Sequence, residues 1–123
     1  MTLMVKWEGR AIAANRRLAQ GKGRFYSEPR YQNFINSMAW LLKKKARGQV
    51  LKGDVAVRLE LVIPKQMDTD SLIKPCMDAL QRSGVIVNDN QVRMVTGERI
   101  GVANGESRIT FFVRQETGMV PDA

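Results

Sequence analysis

The stretch DVAVRLELVIPKQMDTDSLIKPCMDALQRSG, residues 54–84, decides how this chain folds. Its first part alternates Val55, Val57, Leu59, Leu61 and Ile63 with polar or small residues, which is the period of a half-buried strand, and Pro64 ends it. Its last part repeats Leu72, Ile73, Cys76, Met77 and Leu80 at helical spacing and stops at Gly84. Pro75 fits that helix only in the first turn, since further inside it would cost an internal hydrogen bond. Asp68 and Asp70 therefore follow directly on a strand end and precede a helix.

Upstream, LMVKWEG (3–9) reads as a short first strand, and residues 9–26 as a long loop rich in Gly and Arg with no durable hydrophobic period. A helix is expected from Ser27 as N-cap, with Pro29 in its first turn and Tyr31, Phe34, Ile35, Met38, Leu41 and Leu42 on one apolar face. Lys43, Lys44 and Lys45 close it at the negative end of the helix dipole, with Gly48 beyond. Downstream, VIVNDNQV is an apolar run broken by a polar turn. RMVTGERIGV and SRITFFVRQ, separated by ANGE, read as a hairpin, and residues 117–123 as a frayed tail. The order predicts one small α+β domain over residues 1–123, a mixed sheet with two helices packed on it.

A chain of 123 residues with 44% hydrophobic residues is about one domain long and able to bury a single core. The lone Cys76 rules out an internal disulfide framework, and nothing near Met1 reads as a signal peptide, so a reducing, cytoplasmic setting is expected. The apolar run MAWLL stops at KKK, far short of the roughly 20 residues a membrane span needs, and no membrane partner is expected. Residues 1–67 hold fourteen Lys/Arg against four Asp/Glu, and residues 68–123 hold six against eight, which together make the net charge of +8. A basic half points to a polyanion, of which nucleic acid is the commonest in a cytoplasm. The absence of histidine excludes Ser-His-Asp and Cys-His catalysis and His-ligated zinc, leaving carboxylates, lysines or a metal to do any chemistry.

In an extended segment, Asp68 and Asp70 would point to the same side. Two adjacent carboxylates resist joint ionisation unless a cation lies between them, and magnesium is a cation that prefers oxygen ligands while leaving positions for phosphate and water. Asp89 falls in the turn after the second helix, where a third carboxylate could join the pair. The same residues have plainer uses: Asp70 or Ser71 as a helix cap and Asp89 in an Asx turn. Lys74 could steady charge building on phosphorus, or could simply be a solvated lysine spaced by four from Asp70 and Asp78. Asp78 and Arg82 read as a helical ion pair. In the loop, Arg10, Asn15, Arg16, Arg17, Lys22 and Arg24, with Phe25 and Tyr26, combine cations and aromatics of the kind that track a phosphate backbone and stack on bases. The alternative there is a basic loop whose two aromatics tuck into the core.

The segment DTDSLIKPCMDALQRSGVIVNDNQV, residues 68–92, resembles the core motif of the RusA family of Holliday junction resolvases, a pattern close to D-x-D-N-x-x-K-x-x-x-D-A-L and then D-D-x-Q-V. Asp68, Asp70, Lys74, Asp78, Ala79, Leu80, Asp89, Gln91 and Val92 match without a gap. Weaker similarity runs back through the basic loop and first helix. The resemblance implies a homodimeric endonuclease dependent on Mg2+, with Mn2+ as a substitute, that nicks four-way DNA junctions symmetrically in recombination and repair. It implies that Asp68, Asp70 and Asp89 are the essential acids and metal ligands, and that Lys74 is a functional lysine. Ser71 stands where the family prefers Asn, and Asn88 where it often has the first of two aspartates; Asn88 can still offer a neutral oxygen ligand or a hydrogen bond, so it could weaken metal affinity without abolishing it. A non-catalytic basic adaptor, or a metal nuclease acting on flaps or single strands, would share much of this pattern. A sheet edge or exposed apolar residues are the surfaces open to dimer formation.

Overall fold

The structure is a computed structural model and describes residues 2–14 and 29–116. Strand β1 (Thr2–Gly9) is followed among the described elements by helix α1 (Pro29–Ala46); strand β2 (Val55–Ile63) leads through a 3-10 turn (Thr69–Leu72) into helix α2 (Ile73–Ser83). A second 3-10 turn (Asp89–Gln91) opens strand β3 (Val92–Val102), and β4 (Ser107–Gln115) completes the sheet. The proposed Ser27 cap and the tail at 117–123 lie outside the described residues.

The four strands form one mixed sheet in the order β1-β4-β2-β3. β4 pairs antiparallel with both β1 and β2, while β3 pairs parallel with β2, from Val55 opposite Val92 to Ile63 opposite Val102. This corrects the expected hairpin, because β3 and β4 are not neighbours but lie on either side of β2. The four residues 103–106 cross over the end of β2, where the Ala103 amide donates to the Ile63 carbonyl at 2.9 Å. Four extended residues reach roughly 13 Å, enough to step across the roughly 10 Å occupied by one intervening strand. Apolarity decides which strand is central: β2 buries six of its nine residues, whereas β3 buries none.

One face of the sheet carries Val5, Trp7, Leu59, Leu61, Phe111 and Val113 into a single core shared with both helices. α1 contributes Tyr31, Phe34, Ile35, Met38 and Leu42, the stripe its sequence period predicts, and Leu41 lies half-buried beside them. Trp7 ties α1 to the first strand: its ring centroid lies 5.0 Å from that of Phe34, and its Nε1 donates to Ser37 Oγ at 3.0 Å. The other face is open, with the Arg58 guanidinium 4.0 Å from the centre of the Phe112 ring. α2 begins early enough for Pro75 to sit in its first turn, and it ends at Gly84 with φ 80°, a left-handed cap that glycine takes without strain. Cys76 is fully buried in α2, and desolvation pushes its thiol well above the ordinary range. No helix among the described residues is long and apolar enough to cross a membrane.

Leu59 is fully buried midway along the central strand. Leu59→Ala is expected to lower the unfolding free energy by about 3 kcal/mol in urea titration. A loss below about 1 kcal/mol would mean that β2 is not the centre of the core.

Candidate active site

The turn that carries the acid pair forms because β2 ends at Pro64 and the chain must bend back over the sheet to start α2. The Ser71 amide and Ser71 Oγ both donate to the Asp68 carbonyl, at 3.2 and 2.6 Å, and close the 3-10 turn. Asp68 is extended at φ −75° and ψ 136°, but Asp70 is already inside the turn. The pair therefore straddles a bend instead of lying in the extended segment expected from sequence. Neither carboxylate is spent on capping: the residues heading the turn and α2 are Asp68 and Leu72, and neither makes a side-chain cap hydrogen bond. Among the described residues no hydrogen bond or ion pair engages the Asp68 or Asp70 carboxylate, and both residues are exposed.

Two anchors hold this turn to β3. A Cβ placed on Gly97 would stand 3.4 Å from Thr69 Cγ2 and 3.5 Å from Ile73 Cδ1, ordinary van der Waals contact, so the turn packs directly on the strand here and leaves no room for a branched side chain. The Arg99 guanidinium donates to the Met67 carbonyl, while its buried Nε has no partner among the described residues. Arg99 was not among the expected site residues; it carries one signal in the sequence, a cation two residues after Gly97, in phase with the strand's helix-facing residues. Beyond the turn, Asp68 opens on a cavity of about 700 Å³ bounded by residues 10–13, Pro64, Gln66, Met67, Ser71 and residues 105–107. Arg10 and Glu106 line the same cavity. Glu106 had been read only as part of the turn ANGE. Of the proposed DNA-binding residues, only Arg10 is described; Asn15, Arg16, Arg17, Lys22 and Arg24 lie outside the described residues.

Asp89 is held by a different set of bonds. Asn88 accepts the Asn90 amide at 3.0 Å, so Asn88, and not Asp89, performs the turn-capping duty. Gln91 makes four hydrogen bonds: Oε1 accepts the Val87 and Asn88 amides at 2.7 and 3.0 Å, and Nε2 donates to the Leu51 and Gly53 carbonyls at 3.0 and 2.8 Å. The Asp89 turn is thereby latched to the loop that enters β2, with its carboxylate left exposed and unpartnered among the described residues. Asn88 therefore has a structural use in this turn, as its cap.

The three aspartates do not meet. Thr69 packs at Gly97, and Val92, the residue after the Asp89 turn, is five positions earlier on β3, roughly 17 Å along the strand. No group of three His, Cys, Asp or Glu side chains among the described residues is placed to share a metal ion. Lys74 projects from α2 and pairs with Asp78 at 3.5 Å. The expected Asp78–Arg82 pair does not form, because Arg82 instead donates to Gln32 and Asn36 of α1 at 3.0 and 2.9 Å.

Fold and site together define a small two-layer α+β domain that displays aspartates with no structural duty on a basic molecule. Residues 9–114 match the family model described as Endodeoxyribonuclease RusA, and the chain belongs to that family. It is 27% identical over 81 residues to the crossover junction endodeoxyribonuclease RusA of Aquifex aeolicus (strain VF5), a match that takes in 64% of each chain. Among solved structures, the GDP-bound CetZ1 monomer from Haloferax volcanii aligns at TM-score 0.44 and 12% identity over 98% of this chain and 30% of that one. A 2C-methyl-D-erythritol-2,4-cyclodiphosphate synthase aligns at 0.40 and 12% over 92% and 98%. Likenesses this low carry no argument.

Two substitutions test the anchoring. Gln91→Met is expected to cost about 2 kcal/mol of stability and to speed deuterium exchange at the Val87 and Asn88 amides; unchanged exchange would mean the latch does not hold the turn. Gly97→Val is expected to cost about 1–3 kcal/mol through overpacking against Thr69 and Ile73, and a neutral effect in thermal melts would contradict the close packing.

Proposed function

We propose that the protein is a divalent-metal-dependent endodeoxyribonuclease that resolves four-way DNA junctions by paired symmetric nicks, as a homodimer serving recombination and repair. The observation that carries this reading is the Asp68–Asp70 turn, a pair of unpartnered carboxylates at the family's motif in a chain that belongs to the RusA family.

Two exposed carboxylates on one bend suit a hard cation such as Mg2+ or Mn2+ that keeps much of its water. Asp68 and Asp70 would hold it, with Asp89 as the third acid. When bound, the metal supplies positive charge at the scissile phosphate and an acidified water. The protein's own residues do the rest. Among the described residues the exposed Lys74 ammonium is paired with the half-buried Asp78 alone, at 3.5 Å, so it can turn to a phosphate oxygen as charge develops there. Arg10, at the cavity onto which Asp68 opens, favours an anionic strand beside the acids. The basic N-terminal half attracts the DNA without reading its sequence.

The separation of the acids within one chain supports a dimer in which sites are shared. β3 is an eleven-residue edge strand: β2 occupies one side and no strand pairs with the other among the described residues. Its Met94, Ile100 and Val102 are exposed, the kind of edge that pairs with another chain unless protected. A two-fold axis crossing β3 between Val92 and Gly97 would join two such edges antiparallel and bring Asp89 of one copy toward the acid pair of the other. The resulting two equivalent sites suit a substrate with two-fold symmetry.

Asp70→Asn and Asp89→Asn are each expected to abolish cleavage alone while leaving junction binding intact. After subunit exchange, the mixed dimer would hold one site with all its acids and would nick a single strand. Cleavage by Asp70→Asn alone at the wild-type rate would remove the assignment, and a mixture as inactive as its components would contradict the sharing of acids.

A further inference from the structure

Residues 29–53, which include all of α1, hold six Lys/Arg and no Asp or Glu. Lys43, Lys44 and Lys45 crowd the last turn and Arg47 follows, all exposed. A helix C-terminus favours cations, which explains why one or two of them would be there. It does not explain Trp40, which is 63% exposed although tryptophan is highly buried on average. Lys44 Nζ lies 4.9 Å from the Trp40 ring centre, so indole and ammonium form one outward face. The nearest acid along the chain beyond this stretch is Asp54, at the entrance to β2.

The position of this face relates it to the acids. α1 ends at Ala46, and the chain reaches Leu51, whose carbonyl is tied to Gln91 of the Asp89 turn. Arg47 is four residues from Leu51, a span of roughly 14 Å at most. The basic end of α1 therefore lies on the Asp89 side of the molecule, away from the cavity that holds Arg10 and Asp68.

We propose that the C-terminal end of α1, centred on Trp40 and Lys44, is a second DNA-contact surface that takes the sugar-phosphate backbone of a duplex arm, separate from the 9–26 loop. The proposal rests on reading the protein as a DNA nuclease. Four cations within five residues at this end, Lys43, Lys44, Lys45 and Arg47, with no acid among them, favour a polyanion over an acidic protein patch of limited extent, because phosphates recur along the strand. Lysines at the helix end neutralise successive phosphates, and the indole covers the sugar edge between them.

The test is binding of a fluorescently labelled four-way junction in EDTA, by anisotropy at several salt concentrations, with the wild type, the Lys43/Lys44/Lys45→Gln triple variant and Trp40→Ala. The triple variant is expected to bind at least tenfold more weakly at 0.1 M salt and to show a slope of log affinity against log salt shallower by roughly two to three. Trp40→Ala is expected to bind severalfold more weakly with the slope retained. All the substituted residues are exposed, so melting temperatures should match the wild type. DNA should also quench the exposed Trp40 fluorescence, a change that Trp40→Phe should remove while buried Trp7 still emits. Wild-type affinity and slope in the triple variant would overturn the proposal even if metal-dependent cutting is intact. Loss of affinity and slope in a protein that never cuts would uphold the surface and refute the nuclease reading.

Discussion

The parallel pairing of β2 with β3 is the constraint on which the rest of this structure depends. Parallel neighbours cannot be joined by a tight turn, so the chain must leave the end of β2, bend over the sheet, run back as α2 and re-enter at the start of β3. The bend carries Asp68 and Asp70, and the re-entry carries Asp89. A parallel crossover begins and ends at opposite ends of its strands, so the same pairing that builds the core keeps the third acid from the first two. The sequence motif is continuous over 25 residues while the chemistry it encodes is divided in space. In the proposed dimer, two chains joined along β3, whose outer edge no strand pairs among the described residues, would reunite it.

Around each acid, neighbouring residues take over the structural work an aspartate would otherwise do. Ser71 closes the first turn on the Asp68 carbonyl, leaving both carboxylates unused. Asn88 caps the second turn and Gln91 latches it to residues 51–53, leaving Asp89 unused. Unpaired carboxylates at rigid turns contribute little to stability, and like charges placed together oppose it. Other residues hold the turns, with Arg99 and Gly97 fixing the first bend to β3, and the carboxylates are left without partners among the described residues, which gives these positions the character of a candidate site. Lys74 completes the local charge pattern through its partly exposed pair with Asp78.

Much of the fold was legible in the chain. The alternation from Val55 to Ile63, the apolar stripe from Tyr31 to Leu42 and the stop at Gly84 each reflect a local period or a local backbone need, and each was found where expected. The place of β3 was not legible, because ANGE suits a hairpin and a four-residue step across another strand equally well. Only the competition for the centre of the sheet decides, and β2 wins it by burying six of its nine residues where β3 buries none. The site divides in the same way. Asp68, Asp70 and Asp89 could be picked out by spacing and by family motif, but their distance apart depends on strand direction. Arg82 could not be assigned from its helical register, since its partners Gln32 and Asn36 are some fifty residues away in sequence. Arg99 and Glu106 join the site only through tertiary contacts at the sheet end.

The measurement that bears most directly on this account is cleavage of a 5′-labelled four-way junction beside a matched linear duplex, with and without magnesium, read on native and denaturing gels. The account requires paired, symmetric nicks confined to the junction and present only with the metal. Binding without cutting in both magnesium and manganese would contradict it and make the protein a basic adaptor. Equal cutting of flaps or linear DNA would keep the carboxylate chemistry and contradict the junction as its substrate.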